Sequence, residues 1–166
     1  MSSLDDPVER LKTQAQLWTR GNRFEDFEMG QSFLHHWGRT LTRTDNTTFS
    51  ALTLHYGPAY INRPYAEAIG HRDSPINPLL VFNTVLGLSV EDLSEQGGPF
   101  LGVEELAYVA SVYPGDTVYA RSEVIAKRLA SNRPGYGIVT WHTQGINQHD
   151  EVVVDFKRAN LVRTRT

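Results

Sequence analysis

The chain has no cysteine among its 166 residues. That excludes disulfides, thiolate nucleophiles and cysteine-based metal centres together. No run of about 18 apolar residues occurs, so no membrane-spanning helix is expected. An excess of basic charge is also missing: 16 Lys and Arg stand against 19 Asp and Glu, a net charge of −3. The electrostatic footprint of a nucleic-acid binder is therefore absent. The N-terminus, MSSLDDPVERLKTQAQ, lacks the apolar core of a signal peptide,. Internal repeats and low-complexity tracts are absent as well. These absences together point to a cytoplasmic protein.

What remains is an ordinary globular composition, with 40% hydrophobic and 21% charged residues,. The length suits one domain with a core of its own. Residues 1–22 read as an N-terminal helical extension. Asp5 or Asp6 supplies a cap, Pro7 suits the first turn, Leu11, Ala15, Leu17 and Trp18 form an apolar stripe, and Gly21-Asn22 ends it,. Residues 23–166 form a single domain.

Gln31–Thr44 (QSFLHHWGRTLTRT) is rich in Phe, Leu, Trp and Thr and predicts a first strand,. His35 and His36 are adjacent on it and so face opposite ways, which argues against a shared metal. Asp45-Asn46-Thr47 is a helix-start signal for a short helix over Thr48–Leu54. A second short helix, Tyr65–Ile69, follows Asn62-Arg63-Pro64. Asn77–Leu93 (NPLLVFNTVLGLSVEDL) predicts the main helix, with Asn77 as cap and Pro78 at its first position,. Its apolar residues cover most of the circumference, as in a buried helix wrapped by a sheet. Four strands follow: Phe100–Ser111, Thr117–Leu129, Gly137–Asn147 and Glu151–Arg163, separated by turns such as Tyr113-Pro114-Gly115-Asp116,. Strand, small helices, one long helix and four antiparallel strands make an α+β fold, a curved sheet packed around one helix.

The stretch Phe49–Asn62 (FSALTLHYGPAYIN) carries the candidate chemistry. His55 and Tyr60 flank a bend at Gly57-Pro58, and both side chains can handle protons.

Several runs resemble the MaoC-like hydratase/dehydratase family of the hotdog fold. They are RTLTRTDNTTFSALT, PINPLLVFNTVLGLSVEDL, FLGVEELAYVASVYPGDTVYARSEV and GYGIVTWHTQGINQHDEVV, within residues 23–163. The nearest branch acts on mesaconyl-, itaconyl- or methylmalyl-type acyl-CoA thioesters. The resemblance implies reversible addition of water across a 2-enoyl thioester, by an Asp and a His in a D-x-N-P-x-H motif. Backbone N–H groups at the start of the central helix would hold the thioester oxygen. That motif falls on HYGPAY, with His55 in the Asp position, Pro58 on the motif's proline and Tyr60 in the His position. The family's usual glycine at the helix start falls on Pro78, which has no N–H.

The expected catalytic residues are His55, as a base near neutral pH, and Tyr60, as a proton or hydrogen-bond donor. Expected binding residues are Gly57, Asn62, Arg72 and Asn77, with capping as the competing role for the two asparagines. Arg72, or Arg63, suits a substrate carboxylate or a CoA phosphate. No metal and no cofactor are expected; CoA or an acyl carrier would enter as part of the substrate. The resemblance further implies a homodimer or dimer of dimers with sites at subunit interfaces. A hydratase or dehydratase, a non-catalytic acyl-thioester-binding subunit, and a lyase or isomerase on a non-thioester substrate all fit these residues.

Overall fold

The structure, a computed structural model, describes residues 21–165. The helix expected over residues 1–20 lies outside them. Six strands form one antiparallel sheet: β1 (Ser32–Leu34), β2 (Arg39–Thr40), β3 (Phe100–Tyr108), β4 (Thr117–Leu129), β5 (Tyr136–Asn147) and β6 (Val152–Arg163). Their order is β1-β4-β5-β6-β3, and β2 also pairs with β4. The three long strands run where the turns predicted. β3 is shorter than expected, because Val109 and Ala110 both donate N–H bonds to Val153 O and leave the ladder there.

The expected strand over Gln31–Thr44 is instead two short strands, and its end belongs to helix α1 (Arg43–Leu52). A capping box sets that start. Thr42 Oγ1 accepts from Asp45 N at 3.1 Å, and Asp45 Oδ2 accepts from Thr42 N at 2.9 Å,. The helix thus begins before Asp45 rather than at it. After α2 (Pro58–Ile61), helix α3 spans Arg63–Ala68, starting earlier than expected because Asn62 caps it.

The main helix also differs. It is α4 (Pro78–Leu88), then a break at Ser89, then the short α5 (Val90–Leu93). Ser89 N and Oγ both donate to Leu86 O, at 3.2 and 2.7 Å, and the Ser89 carbonyl starts the next turn by accepting from Leu93 N at 3.2 Å, with Arg158 Nη2 donating to it as well at 3.3 Å. The bond of Ser89 N to the residue three back, rather than four, interrupts the α-helical ladder there,.

The helix is not wrapped on all sides. Leu80, Val81, Thr84 and Val85 are buried against the sheet, whereas Leu79, Asn83 and Gly87 face outward. The core under it includes Leu41, Ile76, Val112, Val118, Val153, Val154 and Phe156. Complete burial of a side chain such as Val85 stabilises by about 1.5–3 kcal/mol. Helix and sheet meet closely at Gly145 on β5, where a Cβ would stand 2.5 Å from a Val85 methyl.

His35 and His36, expected on the first strand, follow the end of β1 at Leu34, and His36 is exposed, 3.5 Å from Glu91 on α5. His35 is buried, with Nδ1 2.6 Å from Asp92 Oδ2 on α5 and Nε2 2.9 Å from Ser122 Oγ on β4. Ser122 passes the chain of bonds to Thr143 on β5. It is only 4% exposed, so this Asp–His–Ser row ties elements together rather than presenting a nucleophile. Burial is the leading influence on His35 and holds its pKa below the ordinary value,.

Candidate functional site

The loop after α1 is shaped by how that helix ends. His55 N bonds Ser50 O at 2.9 Å and Leu54 N bonds Ala51 O at 3.3 Å. This is the paired bonding of a Schellman motif, with Leu54 in the left-handed position at φ 57°,. Glycine usually fills that position; a leucine there costs about 1 kcal/mol. The motif turns the chain so that His55 comes back beneath the helix end. Gly57 then starts α2 with Pro58 in its first turn. A Cβ on Gly57 would stand 2.9 Å from the Tyr60 ring, so glycine lets that ring lie flat on the loop. His55 and Tyr60 consequently sit with ring centroids 5.6 Å apart, tilted by 48°.

Behind them is a buried amide pair. Asn46 on α1 is 1% exposed and Asn77 is fully buried. Asn46 Nδ2 donates to Tyr60 O at 2.8 Å and to Pro75 O at 3.0 Å, while its Oδ1 accepts from Asn77 N at 2.7 Å. One side chain therefore holds three separate pieces of backbone: α1, the His55–Tyr60 loop and the lead into α4. Asn77 Oδ1 caps α4 by accepting from Leu79 N at 3.0 Å. Its Nδ2 lies 2.7 Å from His55 Nδ1 and 3.3 Å from Ser50 Oγ.

A pocket of about 310 Å³ opens beside this cluster. Tyr60, His71, Ile76, Pro78 and Val81 line one side, and Tyr108, Ser111 and Val153 the other. Its walls are mostly apolar with a few phenol and imidazole groups, the usual make-up of a small-molecule site. The Tyr108 phenol is pushed above its ordinary pKa by burial first and by the neighbouring Tyr60 second.

Of the residues singled out in the sequence, His55, Tyr60, Gly57 and Asn77 come together here, and Tyr60 lines the pocket. Neither His55 nor Asn77 lines it; Asn77 is fully buried, caps α4 and lies against His55. Asn62 likewise caps α3, accepting from Tyr65 N at 3.1 Å. Arg72 is at the surface, stacked 4.3 Å over the Tyr113 ring and 3.6 Å from Asp116. Arg63 is paired with Glu67 at 2.8 Å. His71, read as part of a solvated loop, instead lines the pocket, with its Nδ1 3.1 Å from Tyr113 Oη.

The amides implied for the thioester oxygen are not free at the start of α4. Pro78 has no N–H, Leu79 N is taken by the Asn77 side chain, and Leu80 N and Val81 N bond Asn77 O at 2.9 and 3.1 Å,.

Two participants were missed in the sequence. Asn46 looked like part of a helix start; with α1 beginning at Arg43, Asn46 and Ser50 fall one turn apart on its buried face,. A polar pair on an otherwise packed helix face is the signal that would have found it. Tyr108 had no local signal, because only strand pairing brings it to the pocket.

An antiparallel sheet packed on one helix, with a short-helix loop and pocket at the helix start, is the hotdog architecture. Comparison agrees: a conserved hypothetical protein of Mycobacterium tuberculosis with a double hotdog fold superimposes with a TM-score of 0.78 at 26% identity, covering 87% of this chain and 44% of that one. A MaoC domain protein dehydratase from Chloroflexus aurantiacus gives a TM-score of 0.85 at 37% identity, over 91% of this chain and 43% of that chain. A model of the mesaconyl-CoA hydratase family matches residues 4–166. The chain belongs to that family. The mesaconyl-CoA hydratase of Haloarcula hispanica is 33% identical over 161 residues, 96% of this chain and 45% of that protein. The β-methylmalyl-CoA dehydratase of Chloroflexus aurantiacus is 40% identical over 149 residues, 87% of this chain and 41% of that protein. The chain thus spans about half the length of the curated relatives it matches.

Proposed function

We propose that this chain acts as a hydratase or dehydratase on a short, branched or dicarboxylic 2-enoyl thioester, with CoA or an acyl-carrier arm as part of the substrate and no resident cofactor. The observation that carries this reading is the apolar pocket at the start of α4, walled by Tyr60 and backed by His55, in a chain of the mesaconyl-CoA hydratase family. Tyr60 and His55 are the reacting pair. Gly57 gives the Tyr60 ring its place, and Asn77 supports His55. The Tyr108 phenol faces the same space from β3. Arg72 at the surface suits a carboxylate or phosphate once it exchanges Asp116 for the ligand.

A homodimer or dimer of dimers fits the surface. Among the described residues β3 is an edge strand with one unpaired side, and Phe100, Leu101, Leu106 and Tyr108 are exposed along it, with exposed Val109 just beyond its end. Exposed apolar edge strands are commonly covered by another chain. Tyr108 belongs to both that edge and the pocket, so a partner there would close the site. A cytoplasmic location accords with this reading.

A second reading is favoured by one observation: the pair in the motif positions is His55 and Tyr60 rather than Asp and His. In that case it binds the acyl thioester while another hotdog unit supplies the chemistry.

The test is turnover of purified protein on a panel of enoyl-CoA and hydroxyacyl-CoA thioesters, beside His55→Ala and Tyr60→Phe. Loss of about 10²- to 10⁴-fold in kcat/KM is expected for each variant. Wild-type protein that binds a panel member without turning any over selects the binding reading. Turnover untouched by both substitutions sinks the site assignment.

A further inference from the structure

We infer that Asn77 is a positioning residue that holds His55 in the tautomer protonated at Nε2, so that His55 meets a ligand as a hydrogen-bond donor and not as a base. The inference rests on the reading of this cluster as the site, and it follows from hydrogen-bond arithmetic. The Leu79 backbone N–H can only donate, so the Asn77 atom 3.0 Å away must be its oxygen,. The other end of the amide is then the NH₂ group, which can only donate. It stands 2.7 Å from His55 Nδ1. Nδ1 must therefore offer its lone pair, and a neutral ring carries its proton on Nε2.

Asn77 cannot turn over to undo this. Its backbone N–H is held by Asn46 Oδ1 at 2.7 Å, its Nδ2 also reaches Ser50 Oγ at 3.3 Å, and a flipped amide would set NH₂ against the Leu79 N–H. The cap of α4 and the tautomer of His55 are thus one choice. A helix start that has no free amide for an oxyanion has instead fixed an imidazole N–H in the loop next to Tyr60, whose ring lines the pocket. An N–H donor at that place suits a carbonyl gaining negative charge.

The consequence for the reaction is a division of labour. His55 in this tautomer has no lone pair left to take a proton from water, because Nδ1 is occupied and Nε2 carries hydrogen. Its part is to polarise the ligand carbonyl.

The experiment is long-range ¹H–¹⁵N correlation NMR of the ¹⁵N-labelled full chain at a pH where His55 is neutral, assigned with His55→Gln. The expected spectrum has an unprotonated Nδ1 and a protonated Nε2. In Asn77→Asp the carboxylate still caps α4 but can only accept, so the pattern should swap to a protonated Nδ1. Asn77→Ser, which caps but reaches less far, should give a mixture of both tautomers. A wild-type His55 protonated at Nδ1 overturns the inference, as does an Asn77→Asp spectrum with an unchanged pattern. If Asn77→Asp does not fold, the wild-type spectrum decides alone. No ligand is present, so the outcome is separate from the functional reading: the expected tautomer in a protein that binds no enoyl-CoA would refute the function and leave the tautomer standing.

Discussion

Replacing Asn46 by alanine tests whether one buried amide assembles the site. The side chain makes three bonds, at 2.8, 3.0 and 2.7 Å, to Tyr60 O, Pro75 O and Asn77 N. Each contributes about 1 kcal/mol net, and a buried group left without its partner costs about 1–3 kcal/mol. The Asn77 N–H is the group with least recourse, since Asn77 is fully buried. A loss of about 3 kcal/mol is expected, a large fraction of the stability of a typical domain. For a chain of this size that corresponds to roughly 6–12 °C in Tm. Urea unfolding followed by the fluorescence of the buried Trp141 measures it directly. Asn46→Asp should also be destabilised: it keeps the acceptor for Asn77 N–H but sets a carboxylate against two carbonyls. A change below about 0.5 kcal/mol in Asn46→Ala would mean that water replaces the amide without cost, and the clamp argument would fail.

Three other outcomes follow from the same geometry. Leu54→Gly should stabilise by up to about 1 kcal/mol, because the residue sits at φ 57° and its side chain is largely exposed; a loss of stability in thermal unfolding would refute the strain,. Gly145→Ala should cost about 1–3 kcal/mol by forcing a methyl group against Val85 and Val154, and an unchanged urea midpoint would contradict the close approach of α4,. Stability should fall on acidification: His35 has a folded pKa below its unfolded value near 6.5, so its contribution is complete above that value,. It is lost as the pH drops from about 6.5 through the lowered folded value, and His35→Gln, a neutral replacement, should flatten that part of a stability-against-pH curve.

The strands from Thr117 onward were legible because strand signals are local: each run is bounded by a turn with its own residues, such as Tyr113–Asp116. The cap of α4 was legible for the same reason, since Asn77 and Pro78 act within one turn. Boundaries slipped where a reciprocal contact outranked the nearest cap candidate. Thr42 and Asp45 together start α1 before Asp45 itself, and Ser89 breaks the main helix by turning both its N–H and its hydroxyl to Leu86 O. The loop His55–Tyr60 was found through its resemblance to a family motif and through two proton-capable side chains, not through periodicity.

Alone, then, the sequence determined the hotdog order of elements, the family resemblance and the loop where chemistry would be placed, because turn residues, caps and motif spacing act over a few positions. Tertiary structure decided the rest. Burial placed Asn77 against His55 and the first turn of α4, brought Tyr108 from an edge strand and His71 from a loop to one pocket, and used up the amides at the start of α4. Those facts depend on which distant backbone groups need partners once water is excluded, and that need exists only after the chain has packed.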